Sequence, residues 1–322
     1  MREKIVLREV GLRDGLQIHP VFMPTAEKLA WISAEHAAGI SEIEVTSYVP
    51  PKLIPQFADA VEVTQGALRV PGLVVSALIP NLRGAQRAIE LGVHKMNYVM
   101  SVSHTHNMKN VRRSPEESVA DFAAIVALAR SQPEVSRPLL CGGLATALGC
   151  SYEGRISTSK VVRYAVQLVE AGADELAIAD TVGYADPRQV REVFKAVLAE
   201  VGDVPVAAHF HDTRGTGLAN VLAALDCGVT RFDASLAGLG GCPFAPGASG
   251  NVVMEDLCFM LDSMNYDTGV DIDQLLEVRR ILSRALPDIA LQGAIAKAGV
   301  PTGYVPASVR VAEPASERLS EV

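Results

Sequence analysis

His209-Phe210-His211 places two imidazoles two residues apart. On a strand that spacing turns both rings to one face. Two histidines facing an acidic group from another element make a mixed nitrogen and oxygen site for a divalent metal. An isolated H-x-H pair is more often two hydrogen-bonded histidines. Arg13-Asp14, within the run Glu9 to Gln17 (EVGLRDGLQ), joins a permanent cation to a carboxylate. Alone, that pair reads as a local ion pair on a loop. The third element is the segment Gly238 to Asn251 (GLGGCPFAPGASGN), with Cys242 in its middle. A thiol there can act as an acid or base over a site that a mobile loop closes; the alternative is a long turn with flexible glycines. Asn251 is either a helix N-cap or an oxygen ligand.

The elements that must position these groups follow from a recurring corner. A helical run ends in Gly, and an apolar β-rich run begins within a few residues: Gly39 before Glu42–Thr46, Gly92 before Lys95–Met100, Gly172 before Glu175–Asp180, and Gly228 before Arg231–Ser235. Gly at such a place caps a helix where φ must be positive. The preceding runs have helical period, as in Leu29, Ile32, Ser33 and His36, or Val161, Ala165 and Leu168. Further strands are expected at Ile5–Val10, Val74–Ile79, Pro138–Leu144 and Val204–His211. Eight strands alternating with helices in the first 240 residues or so imply parallel pairing with helical crossovers. The fold class is therefore α/β, a closed (β/α)8 TIM barrel with additional C-terminal helices at Val252–Met264, Asp273–Leu286 and Asp288–Ala298. A doubly wound open sheet is the second choice, but no G-x-G-x-x-G follows the first strand. Residues 1–300 read as a single barrel domain, and 301–322 as a mobile tail.

In a barrel, function gathers at the C-terminal ends of the strands. Those ends are dense in polar groups here. Strand one runs into Arg13, Asp14 and Gln17; strand two holds Glu44 and ends in Thr46-Ser47. Strand six ends in Asp180-Thr181, and strand seven in His209 to Thr213. The separate structural readings of these residues fit poorly once all of them lie at one end of one barrel.

Composition sets outer bounds. The chain has 322 residues, 49% hydrophobic and 20% charged, with a net charge of −8. That excludes a disordered chain. An acidic balance argues against a nucleic-acid groove or an anionic-membrane face, which need clustered Lys and Arg. No apolar window is long enough to span a bilayer, and no signal-peptide h-region follows the charged start. Cys141, Cys150, Cys227, Cys242 and Cys258 are odd in number with no C-x-x-C. This is the pattern of a reduced, cytoplasmic protein.

These residues resemble the 3-hydroxy-3-methylglutaryl-CoA lyase family, within the superfamily of metal-dependent lyases and Claisen-condensing barrels. The resemblance runs to about residue 285 and includes Glu9–Gln17, Ile43–Gln56, Ala147–Ser157, Asp180–Gly183, His209–Asn220 and, most specifically, Gly238–Asn251. It implies a Mg2+ or Mn2+ site ligated by Asp14, His209, His211 and Asn251. By ligand chemistry Zn2+ is also admissible. It implies retro-Claisen cleavage of a 3-hydroxyacyl-CoA, with Arg13 meeting the developing enolate oxygen, Cys242 protonating the enolate carbon, and Asp14 or His209 assisting removal of the hydroxyl proton. Gln17, Glu44, Asp180 and Thr181 are expected as positioning or substrate groups, and a homodimer is expected.

Some positions depart from the family pattern. Ile18-His19-Pro20 follows Gln17, His104 stands where a carboxylate is usual, and Arg214 where Tyr is usual. His104 and Arg214 at the mouth suggest a different acyl group, as in citramalyl-CoA or an isoprenoid-substituted glutaryl-CoA. If they lie outside the pocket, the substrate is the ordinary one. His104 with His106 also reads as a second metal site, and Lys109, Arg112 and Arg113 either meet CoA phosphates or flank a helix. The competing readings are a condensing synthase of the same superfamily and a non-catalytic metal-binding barrel.

Overall fold

The computed structural model describes residues 2–240, 250–307 and 309. Its centre is a closed barrel of eight parallel strands paired in sequence order, β1 (Val6–Glu9), β2 (Glu42–Ser47), β3 (Val74–Ile79), β4 (Lys95–Ser101), β5 (Leu139–Ala145), β6 (Glu175–Asp180), β7 (Val206–Phe210) and β8 (Arg231–Ala234). β8 closes on β1 through Val6 opposite Arg231 and Glu9 opposite Ala234. The open doubly wound sheet is thereby excluded.

Helices cover the outside. They are α1 (Thr25–Ala37), α2 (Ala60–Ala67), α3 (Leu82–Leu91), α4 (His104–Val111), α5 (Pro115–Arg130), α6 (Thr158–Glu170), α7 (Pro187–Glu200) and α8 (Gly217–Leu225). The local signals are conventional. Ser114 and Glu117 form a reciprocal capping box at the start of α5, with Pro115 at its first position. Asp186 caps α7 by accepting from the backbone N–H of Arg188 and Gln189. The four corner glycines, Gly39, Gly92, Gly172 and Gly228, all have positive φ.

After the barrel come α9 (Met254–Ser263), α10 (Ile272–Ala285) and the short α11 (Ile295–Ala298). The expected helix over Asp288–Ala298 is thus reduced to its last turn. Pro287 interrupts the chain after α10, and the backbone N–H groups of Ala294 and Ile295 are held by the carboxylate of Asp256. Among the described residues no helix is long and apolar enough to cross a membrane.

Strand residues alternate between the helical shell and the barrel interior. The outward set, including Ile43, Val75, Met96, Leu140, Leu176 and Phe232, is fully buried against the helices. The inward set is different in kind: Arg8, Glu42, Glu44, Ser76, Asn97, Cys141, Gly143, Ala177, Ala179, His209 and Asp233 all line one cavity of ≈ 890 Å³ that opens at the C-terminal end.

Candidate active site and metal centre

Asp14 sits in a tight turn over Gly11–Gly15 that directly follows β1, with its N–H donating to Val10 O. β7 carries His209 inside the barrel and delivers His211 one step beyond the strand. Asn251 is brought alongside by a short extended stretch. Asp212 N–H donates to Gly250 O, Val252 N–H donates to Phe210 O, and Asn251 bridges His211. Because α9 begins at Met254 with Val253 before it, Asn251 is not a helix cap. Its side chain turns inward.

The four groups converge. Asp14 Oδ2 lies 3.2 Å from His211 Nε2 and 4.0 Å from His209 Nε2, and it accepts from Asn251 Nδ2 at 2.8 Å. Ligand atoms of Asp14, His209 and His211 fall within 4.8 Å of one another, the one such His/Cys/Asp/Glu group among the described residues. All three are buried. Asn251 Oδ1 is also buried, with no donor to satisfy it. An orphaned acceptor beside a carboxylate and two imidazoles fits a divalent cation, which supplies what hydrogen bonding leaves open. The donor set, two oxygens and two nitrogens, admits Mg2+, Mn2+ or Zn2+.

Electrostatics match that fit. Burial alone raises the Asp14 pKa, but the Arg13 guanidinium and the neighbouring histidines outweigh it and hold the carboxyl far below its usual range. Burial lowers the basicity of His209, yet the hydrogen bond and charge of Asp233 reverse the direction and raise its pKa. Asp233 itself, buried but facing Arg8 and His209, is depressed to about 2. Asp14 is therefore an anion throughout the physiological range.

Arg13 is fixed from two sides: Nε donates to Glu44 Oε2 and Nη1 to Asp14 Oδ1 (2.6 Å). Glu44 is in turn held by Asn97 Nδ2 at 2.9 Å, and Gln17 Nε2 donates to Asp14 Oδ1 at 2.8 Å. Burial would weaken the Arg13 charge, but Glu44 and Asp14 keep its pKa above the ordinary value. The result is a guanidinium locked in place at the cavity wall.

The structure brings Arg13, Asp14, Gln17, Glu44, Thr181, His209 and His211 into the lining of one cavity, with Asn251 on Asp14. It places three other expected residues elsewhere. Asp180 is fully buried and accepts from the N–H groups of Tyr184 and Ala185, so it shapes the loop after β6 rather than facing the cavity. Arg214 donates to the carbonyls of Val182 and Gly183 and stacks on Tyr184, away from the cavity lining. His104 is exposed at the first position of α4. His106, two residues on, turns inward to the cavity with Nδ1 at 2.7 Å from Ser101 Oγ. The two rings therefore do not share a site, and the second metal centre is not formed. Lys109, Arg112 and Arg113 do line the cavity mouth. Cys242 and most of its glycine-rich segment, like the tail beyond 309, lie outside the described residues.

The sequence reading missed Asp233. It stands inside β8, where its Oδ2 accepts from His209 Nδ1 at 3.1 Å. A lone acid within a strand whose neighbours are apolar was the available signal.

Comparison with known proteins decides the lineage. The family model described as HMGL-like matches residues 4–282. The chain belongs to the HMGL-like family. Hydroxymethylglutaryl-CoA lyase YngG of Bacillus subtilis is 42% identical over 294 residues, covering 90% of this chain and 97% of that protein. The cytoplasmic 3-hydroxy-3-methylglutaryl-CoA lyase of Rattus norvegicus is 39% identical over 88% of this chain and 82% of its own. The solved HMG-CoA lyase from Acinetobacter baumannii, in complex with coenzyme A and 3-methylmalate, superimposes with a TM-score of 0.87 at 41% identity, covering 94% of this chain and 97% of that one. Carboxyl transferase domains of Rhizobium etli pyruvate carboxylase share the fold at 17% identity and a TM-score of 0.69. Like the HMGL-like lyases it matches, this chain is a carbon–carbon lyase.

Proposed function

We propose that the protein cleaves 3-hydroxy-3-methylglutaryl-CoA to acetoacetate and acetyl-CoA with a Mg2+ or Mn2+ ion held by Asp14, His209, His211 and Asn251. The observation that carries this is the placement of a fixed guanidinium, Arg13, directly beside Asp14 in the lining that also holds His209 and His211, with Asn251 on Asp14. A divalent ion there supplies Lewis acidity toward the substrate hydroxyl and a neighbouring oxygen.

The residues divide the remaining work. The C3 hydroxyl proton passes to the Asp14 carboxylate, the C2–C3 bond breaks, and its electrons move into the thioester to form the enolate of acetyl-CoA. Arg13 meets the charge that develops on the enolate oxygen, and Glu44 with Asn97 keeps it aimed there before the reaction begins. The Cys242 thiol delivers the proton to C2, an assignment that rests on its place in the glycine-rich segment. Gln17 steadies Asp14, and Thr181 completes the wall. Lys109, Arg112 and Arg113 at the mouth suit the phosphates of CoA. With His104 and Arg214 off the cavity wall, the ordinary acyl group is favoured over a modified one. The scattered, odd-numbered cysteines support a cytoplasmic location, and the family resemblance supports a homodimer.

The deciding experiment incubates the protein with 3-hydroxy-3-methylglutaryl-CoA, citramalyl-CoA and longer 3-alkyl analogues, with Mg2+, with Mn2+ and with chelator. We expect metal-dependent release of acetyl-CoA, fastest from the first. Release from another thioester alone overturns the substrate, and metal-independent release overturns the site.

A further inference from the structure

Beneath the site the barrel interior holds a continuous run of charge. Lys95 Nζ donates to Glu42 Oε1 (2.9 Å) and to Glu175 Oε1 (2.7 Å). Arg8 pairs with Glu175 and, through Nε, with Asp233 Oδ1. Asp233 Oδ2 then accepts from His209 Nδ1. All five charged residues are buried, and they come from β1, β2, β4, β6 and β8. Buried ion pairs are weak stabilisers, since desolvation offsets much of their attraction. Apolar side chains would fill this floor at least as well, so its charge calls for another role.

The two imidazoles of the site differ in a way that indicates this role. His211 Nδ1 is buried with no partner, whereas His209 Nδ1 meets a carboxylate. A neutral imidazole carries one proton, and a carboxylate at Nδ1 keeps it there, leaving the Nε2 lone pair to face Asp14. Asp233 can do this only if its own rotation is fixed. Arg8 grips the oxygen that His209 does not use, and Arg8 is itself braced by Glu175 and Lys95.

We propose that Arg8 is a positioning residue for the metal centre: by clamping Asp233, with Glu175 as its second anchor, it fixes the ring and tautomer of His209. The proposal rests on the metal-dependent reading above, and its test is made without substrate. Binding of Mn2+ alone to the full chain is measured by the paramagnetic signal of free Mn2+. The His209 tautomer is read in the metal-free protein from imidazole 15N shifts.

We expect Asp233→Asn to weaken Mn2+ binding about 10- to 100-fold, the usual range for loss of such a partner. Arg8→Met should weaken it about 10-fold on the same scale and mix the tautomers of His209. Arg8→Lys should recover part of the loss, since one ammonium can hold Asp233 but cannot fork to Glu175 as well. Lys95→Met, two links away, should lower the melting temperature while leaving Mn2+ affinity within about twofold, below the range for a lost partner. If Arg8→Met does not fold, Arg8→Lys and Asp233→Asn decide. Unchanged Mn2+ affinity and a single Nδ1–H tautomer in folded Asp233→Asn and Arg8→Lys overturn the proposal alone. Affinity that falls in step with melting temperature across every variant, Lys95→Met included, also overturns it. A wild-type protein that binds no Mn2+ overturns the metal reading, and the tautomer measurement still decides the role of Arg8.

Discussion

Arg13 and Glu44 form a part-buried ion pair that joins the turn after β1 to the inner face of β2, so the guanidinium reaches the cavity already oriented. Replacing either partner separates chemistry from binding. Arg13→Gln should lower kcat by about 10²- to 10³-fold, the loss typical of one preorganised oxyanion donor, with little change in KM. Glu44→Gln should lower kcat by about tenfold or more through misplacement of Arg13, and leave metal affinity unaltered. Steady-state kinetics beside a Mn2+ titration check both. Near-native kcat in Arg13→Gln would falsify its role.

Metal removal should be reversible and visible in stability. Chelator should abolish turnover, and Mg2+ or Mn2+ should restore it. At about 100 times its dissociation constant the ion stabilises the fold by about 2.7 kcal/mol, which thermal unfolding with and without chelator will register as a rise in melting temperature. Asn251→Ala removes the orphaned acceptor, so most of that rise should vanish.

Gly240 is constrained by the site itself. Its φ is +131°, and a Cβ there would fall 2.5 Å from Asn251 Nδ2 and 3.4 Å from Asp14 Oδ2. Gly240→Ala should therefore displace Asn251 and weaken Mn2+ binding about tenfold, the loss expected when a ligand's support is disturbed, with little effect on the barrel. Calorimetric titration reads the first effect and circular dichroism the second.

Glu9 and Glu35 are both fully buried, and each influences the ionisation of the other. Burial raises the pKa of Glu9 from 4.5 to about 7 and lifts Glu35 well above its usual value. Between about 4.5 and 7 the folded chain keeps a proton that the unfolded chain releases. Stability from this pair is thus fully present below that window and falls as pH rises through it. Urea midpoints measured from pH 5 to pH 8 should decline with pH, and the decline should flatten in Glu9→Gln, which cannot ionise. A slope identical in both proteins would remove Glu9 as its source.

Cys242→Ser should cut turnover by orders of magnitude, because a hydroxyl is a far weaker acid than a thiol. Mn2+ affinity and melting temperature should stay as they are. Turnover equal to that of the unaltered protein would assign the proton to another donor.

The site was legible wherever one-dimensional spacing maps directly onto geometry. His209 and His211 share a face because a strand repeats every two residues, and the corner glycines announced four of the eight strands by the backbone they require. Asp14 and Arg13 stood out as charges crowded at a strand end. What stayed hidden depends on partners distant in sequence. Arg8, Lys95, Glu175 and Asp233 stand on four different strands among apolar neighbours, and only closure of the barrel brings them together. Asp180, His104 and Arg214 carry suitable chemistry near the right strand ends, but their direction is set by loop turns. Asp180 is spent on backbone N–H groups and Arg214 on carbonyls. Residue type could not distinguish those uses from substrate contact.

The backbone of Gly250 passes so close to Gly238 that a Cβ on Gly250 would stand 1.6 Å from the Gly238 carbonyl oxygen, and Asn251 N–H donates to Leu239 O. The chain thus departs and returns through a pinched neck, and Asn251 is fastened on the barrel side of it. Whatever is threaded between the two ends can be lengthened or exchanged at a closure cost that grows only logarithmically with length. So long as Gly238, Gly240 and Gly250 keep that neck, a change in the number of residues between its ends need not move Asn251.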